Sequence, residues 1–130
     1  VIDIFDAKIV NFGIEFKLRI DSRFTDTDVL SRSIRKLQEY FEDKLYICEP
    51  VYINRLYSLL GKVDGVAEVR HLKILQRSGS SYSSNRVNLD DMMSRDGSFI
   101  KAPKNVIMEL KFPDRDIKGT IIRWLKDISH

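Results

Sequence analysis

Tyr46 to Gln76, YICEPVYINRLYSLLGKVDGVAEVRHLKILQ, is the stretch that decides how this chain folds. It reads as a short helix, a tight Asp64-Gly65 turn and a strand. Pro50 is expected at the first helical position, where its fixed φ and missing N–H cost little. Ile53, Leu56 and Leu60 recur at helical spacing, and Val51, Tyr52, Tyr57 and Leu59 widen the apolar face. Gly61 and Gly65 punctuate the exit, and Val66 to Leu75 has the β-branched content of a strand. Val66, Leu72 and Ile74 share one parity in that strand, whereas Val69 and Leu75 take the other. Such a switch implies either a bulge or burial on both faces.

N-terminal to this wedge, Phe12, Ile14, Phe16, Leu18 and Ile20 alternate with Gly13, Glu15, Lys17, Arg19 and Asp21. Period two over nine residues predicts a strand with one buried and one wet face, and partner strands on its edges. Residues 1–10 are apolar with isolated acids and read as an edge strand or a connecting arm. Asp21 to Thr27 is a turn leading into a helix. Thr25 with Asp28 resembles a capping box, and Asp26 and Asp28 suit the positive end of the helix dipole. Leu30, Ile34, Leu37, Phe41 and Leu45 then form one stripe, with Arg32, Arg35, Lys36, Glu39, Glu42 and Asp43 on the solvated side.

C-terminal to the wedge, residues 77–104 break the pattern. Five serines, a glycine and an asparagine fall between Ser78 and Asn85, and Tyr82, Met92, Met93, Phe99 and Ile100 follow among polar residues. A loop gains nothing by exposing such side chains, so an arm ordered by a neighbouring subunit is expected, against the alternative of a locally folded hairpin. Val106, Met108, Leu110 and Phe112 alternate as a strand. Pro113 to Gly119 turns the chain, and Thr120 to Leu125 reads as a last strand or a short helical tail. Trp124 is a packing residue, in the core or against a partner. Tyr82, Met92, Met93, Phe99, Ile100 and Trp124 together make the expected partner interface.

The segments VYINRLYSLLGKVDGVAEVRHLKI, AKIVNFGIEFKLRID and NVIMELKFPDRDIKGT carry a resemblance to contractile-tail (myovirus) phage baseplate wedge proteins, in the C-terminal region of the baseplate J-like family. It implies a virion structural protein of the tail baseplate, assembled in the host cytoplasm. Its implied partners are other baseplate wedge subunits and further copies of itself within a six-fold assembly. With a chain that begins at Val1, it also implies a C-terminal fragment of something longer.

Composition bounds the alternatives. At 130 residues the chain has room for one core and reads as a single domain, with a body at about 8–76, the Ser-rich loop and a C-terminal strand and tail at 105–130. No apolar run approaches the ~20 residues of a membrane span, and Val1 to Phe5 lacks a signal peptide's basic start. One cysteine, Cys48, makes no internal disulfide, which fits a reducing compartment. The net charge of +3 is spread thinly: residues 1–76 hold 12 basic and 12 acidic side chains, 77–104 five and three, and 105–130 five and four. No cluster of cations on one face is legible, so nucleic acid is not the expected partner.

Catalytic patterns are also missing from the sequence. Gly61-Lys62 precedes a turn and strand rather than a helix, unlike a phosphate-binding loop. Asp114-x-Asp116 with Gly119 is a poor calcium loop, because Lys118 and Leu125 stand at ligand positions. Asp90-Asp91 reads as a helix start or a solvated turn. His71, His130 and Cys48 are a meagre supply for zinc, and Cys48 reads as a buried, inert thiol.

The expectation is therefore a non-enzymatic α+β two-layer sandwich, with a mostly antiparallel sheet and two helices packed on one face. Its core is β-α-α-β with C-terminal strands added. It needs no cofactor, metal or small-molecule substrate. A small basic α+β nucleic-acid-binding domain is the alternative. Against it, the wet face of the first strand (Glu15, Lys17, Arg19) has no aromatic platform for bases.

Overall fold

The computed structural model describes residues 8–42, 45–47 and 49–122. In chain order its elements are β1 (Lys8–Ile20), α1 (Asp26–Phe41), β2 (Leu45–Ile47), β3 (Val51–Tyr52), α2 (Ile53–Gly61), β4 (Val66–Arg77), α3 (Leu89–Met92), β5 (Phe99–Ile100), β6 (Val106–Glu109), α4 (Pro113–Asp116) and β7 (Ile117–Ile121). The architecture is α+β. A five-stranded sheet carries α1 and α2 on one face, and β3 and β5 form a separate two-stranded ribbon.

β1 is the spine, because its alternation lets both edges and one whole face be used. On one side β4 runs antiparallel to it, from Asn11 opposite Arg77 to Ile20 opposite Val66. On the other side two short strands share the edge: β6 runs parallel to Lys8–Asn11, and β7 parallel to Ile14–Leu18. β6 and β7 are thus one strand interrupted by the α4 turn, where Pro113 occupies the start of the helix and cannot donate to a ladder. β2 pairs antiparallel with β6 and forms that edge of the sheet. The pairings are mixed, two antiparallel and two parallel, so the parallel share exceeds what alternation alone implied.

Val10, Phe12, Ile14, Phe16 and Leu18 of β1 are all at most 1% exposed and face the helices. Val29, Ser33, Leu37 and Phe41 form the most buried stripe of α1, with Leu30 and Ile34 flanking it. Ser33 is tolerated there because its hydroxyl donates to the Val29 carbonyl 2.8 Å away. Ile53, Leu56 and Leu60 are the buried face of α2, as their spacing predicts.

Several local expectations are corrected. Thr25 is the N-cap residue of α1 but its side chain caps nothing. Leu45 leaves the helical stripe and joins β2, since α1 ends at Phe41. Pro50 does not open α2: it precedes β3, whose pairing with β5 displaces the helix start to Ile53. The last strand begins at Ile117, inside the expected turn.

The parity switch in β4 resolves as bulges. Glu15 faces Lys73 but Lys17 faces Arg70, so Phe16 alone opposes two residues; a second irregularity follows between Arg19 and Ile20. His71, at the first bulge, has φ of 53°. The extra residues rephase the strand, which brings Val69 onto the helix side beside Leu18 and keeps Leu72 and Ile74 buried there too. The Leu72 N–H at the bulge donates to the Tyr57 hydroxyl of α2, 3.0 Å away.

Candidate interaction surfaces

The Ser-rich loop folds onto its own chain. Its first half crosses the sheet face away from the helices, where the Ser83 N–H donates to Asn11 Oδ1 at 2.7 Å and the Asn85 amide donates to the Ile9 carbonyl at 3.2 Å. Gln76 grips Val87 through both backbone groups, accepting from its N–H and donating to its carbonyl. The second half is a hairpin: Met93 bridges Ile100, the Ser94 N–H donates to the Phe99 carbonyl, and β5 pairs with β3. Asp90 and Asp91 lie in α3, capped by the Asn88 side chain. The locally folded alternative is the one this geometry matches.

That folding changes the standing of each expected interface residue. Ile100 is 1% exposed and Met92 7%, both inside the chain's own core, so neither has a side chain to offer a neighbour. Met93 and Phe99 are half-buried, Phe99 against Tyr52 at a ring separation of 5.8 Å. Tyr82 is half-buried and committed to an internal network. Trp124 lies outside the described residues, as do Cys48 and His130.

Tyr82 belongs to a polar knot under the loop. Its hydroxyl donates to Asp116 Oδ1 at 2.6 Å, and the Phe112 N–H donates to Asp116 Oδ2 at 3.3 Å. Arg77 Nε stands 3.3 Å from Asp116 Oδ1, yet its N–H is not aimed at the oxygen, so that contact is ionic and not a hydrogen bond. Arg115 stacks on the Phe112 ring at 4.3 Å, and that ring meets Tyr82 edge-on. Burial of Asp116 is tolerable because donors and a cation surround it. All of its partners are internal, so the knot is a fastening.

The free surface is elsewhere. Beyond the loop, the sheet face away from the helices carries Glu15, Lys17 and Arg19 from β1, Glu68, Arg70 and Lys73 from β4, and Lys118 and Thr120 from β7. No described element packs on these residues. Cations that lie far apart in sequence are therefore gathered on one face, contrary to the expectation of a thinly spread charge. Arg19 and Arg70 both reach Glu68, at 3.1 and 2.5 Å. Lys17, Lys73 and Lys118 are exposed and have no ion pair among the described residues. The alternation of β1 hinted at this face, but the bulges in β4 hid Arg70 and Lys73 from any simple parity rule.

Grooves on the helix side are open. One of about 810 Å³ lies between α1 and the α4 turn, lined by Arg35, Glu39, Glu42, Glu109, Lys111 and Asp114 among others. A smaller one, about 340 Å³, gathers Arg32, Arg35, Lys36 and Lys62 beside Glu39 and Asp64. Among the described residues no three His, Cys, Asp or Glu side chains are placed to hold a metal ion, and no helix is long and apolar enough to cross a membrane. No protein-family model matches the chain, and no curated protein matches it in sequence.

Proposed function

We propose that the chain is a structural part of a phage tail baseplate wedge and works by holding neighbouring subunits, with no substrate turned over. Its partners on this reading are other wedge subunits and copies of itself within a six-fold assembly of the virion. The sequence resemblance supports it. One structural observation carries it: a rigid helix-backed sheet presents a bare, charged face on which no described element packs. The loop's part in this reading shifts from clasping a neighbour to bracing the far end of that same face, since Met92 and Ile100 are spent internally and Tyr82 is tied to Asp116.

A small nucleic-acid-binding domain is the second reading, favoured by the five cations on the bare face. Glu15 and Glu68 among them, and the lack of Phe, Tyr or Trp there, weigh against it. The deciding experiment is light-scattering mass of the chain, alone and mixed with candidate baseplate subunits, at two salt concentrations. A complex supports the assembly reading. A lone monomer that binds oligonucleotides and releases them steeply with salt favours the second.

A further inference from the structure

We propose that the bare sheet face docks an acidic protein surface, gripped by Lys17, Lys73 and Lys118 around Glu15. This rests on the assembly reading and goes beyond it, naming the face used and the chemistry of the neighbour.

The register places these groups closely. Lys118, Glu15 and Lys73 stand in one row across β7, β1 and β4, and Thr120, Lys17 and Arg70 stand in the next. Strands lie ~4.8 Å apart and same-face rows ~7 Å, so all the cations of these two rows share a patch about 10 Å wide. Five cations against two carboxylates leave +3 on the face, which equals the formal charge of the whole chain. The rest of the molecule is neutral in sum. Lys17 sits directly opposite Arg70, a like-charge pairing that weakens a sheet. Glu68 already pairs with Arg70, so it is the ammonium of Lys17 that gains most from a carboxylate supplied from outside.

Glu15 selects the kind of anion. A phosphate backbone is negative along its whole length and meets repulsion at the centre of the patch. A protein surface can set carboxylates over the three lysines and a cation over Glu15, the complementarity that fixes register at interfaces. A face that carries no Phe, Tyr or Trp also offers bases little to stack on. The neighbouring edge of β4 is blunted by its two bulges and by charged side chains, which disfavours capture of an added strand there.

The test measures binding of the chain to a labelled peptide of repeating Glu-Glu-Lys-Glu, acidic overall but with cations to meet Glu15, and to a DNA duplex of about 20 base pairs, at roughly 50 and 200 mM salt. The expected result is tighter binding to the acidic peptide, weakened at least about tenfold by the added salt. K17E/K73E/K118E, checked for an unchanged thermal midpoint, abolishes it, while K36E/K62E on the helix side leaves it intact. Tighter binding to the duplex, or unchanged binding by the triple variant, overturns the proposal. So does a triple variant that still joins baseplate subunits in the light-scattering experiment, an outcome that leaves the assembly reading standing. If the wild-type chain joins none of those subunits, the assembly reading falls and the docking surface falls with it.

Discussion

Tyr82 and Asp116, 34 residues apart, are joined by a 2.6 Å hydrogen bond in which the tyrosine hydroxyl donates to a carboxylate removed from solvent. The bond fastens a serine-rich loop to the turn that interrupts the β6–β7 strand. A buried carboxylate that loses a donor keeps its desolvation cost, so the bond matters more for what its loss leaves behind than for its own strength. Tyr82→Phe is expected to cost about 1–2 kcal/mol and Asp116→Ala somewhat more. Urea unfolding measures the loss, and hydrogen exchange should show it concentrated in the loop, with Ser83 and Asn85 losing protection first.

The close approach of α1 to β7 depends on Gly119. A Cβ there stands 2.5 Å from the Phe16 ring and 2.7 Å from Leu30. Gly119→Ala therefore drives a methyl into the buried Phe16 ring and Leu30, which must repack, and is expected to cost about 1–3 kcal/mol. Gly61, at the end of α2, has nothing within 4 Å of the same position. Gly61→Ala should be neutral or stabilising by up to about 1 kcal/mol. Thermal midpoints of the two variants should move apart; similar shifts would contradict this packing.

The bulge at His71 sets a conformational requirement and not a chemical one. With φ of 53° the residue sits in the left-handed region, where a β-branched side chain is strained by about 1–2 kcal/mol. His71→Val should lower stability by about that much, while His71→Asn and His71→Gly should be tolerated. Denaturant midpoints decide it: equal loss in all three variants would mean that the imidazole itself matters.

Acid should loosen two exposed turns. Asp21 is held down to about 2 by its hydrogen bonds and charge contact with Arg23, and Asp96 to about 2 by the Ser98 and Ser94 hydroxyls and the Ser98 N–H. Both values lie below the ordinary 3.8, so each group contributes stability that is fully present above pH 3.8 and is lost as pH falls from there towards 2. The Asp21→Asn/Asp96→Asn variant should accordingly show a flatter dependence of urea midpoint on pH between about 5 and 2. An unchanged slope would rule these turns out as the source.

Burial inside α2 offers a plain core test. Leu56 is fully enclosed, and Leu56→Ala is expected to cost about 2–5 kcal/mol through lost transfer energy and the cavity left behind. Calorimetry or urea unfolding reads it directly.

Elements whose signal is local are legible in the residues alone. Alternation in β1 foretold both its existence and its buried face, because neighbouring side chains of a strand must point to opposite sides. The steps of three and four foretold two helices and the buried face of α2; for α1 they found Leu37 and Phe41 but took the flanking Leu30 and Ile34 for the stripe that Val29 and Ser33 complete. The switch of parity between Leu72 and Val69 left a bulge or burial on both faces open, and the register of β1 with β4 decides for the bulge. The remainder depends on register between distant segments. Nothing local says that β6 and β7 share one edge of β1, that β3 waits for β5 forty-odd residues later, or that the loop's Met92 and Ile100 are buried by the chain itself. The gathering of Lys17, Lys73 and Lys118 on one face is of the same kind. Charge is counted along a sequence, but it acts across strands a few ångströms apart, and pairing alone chooses which charges become neighbours.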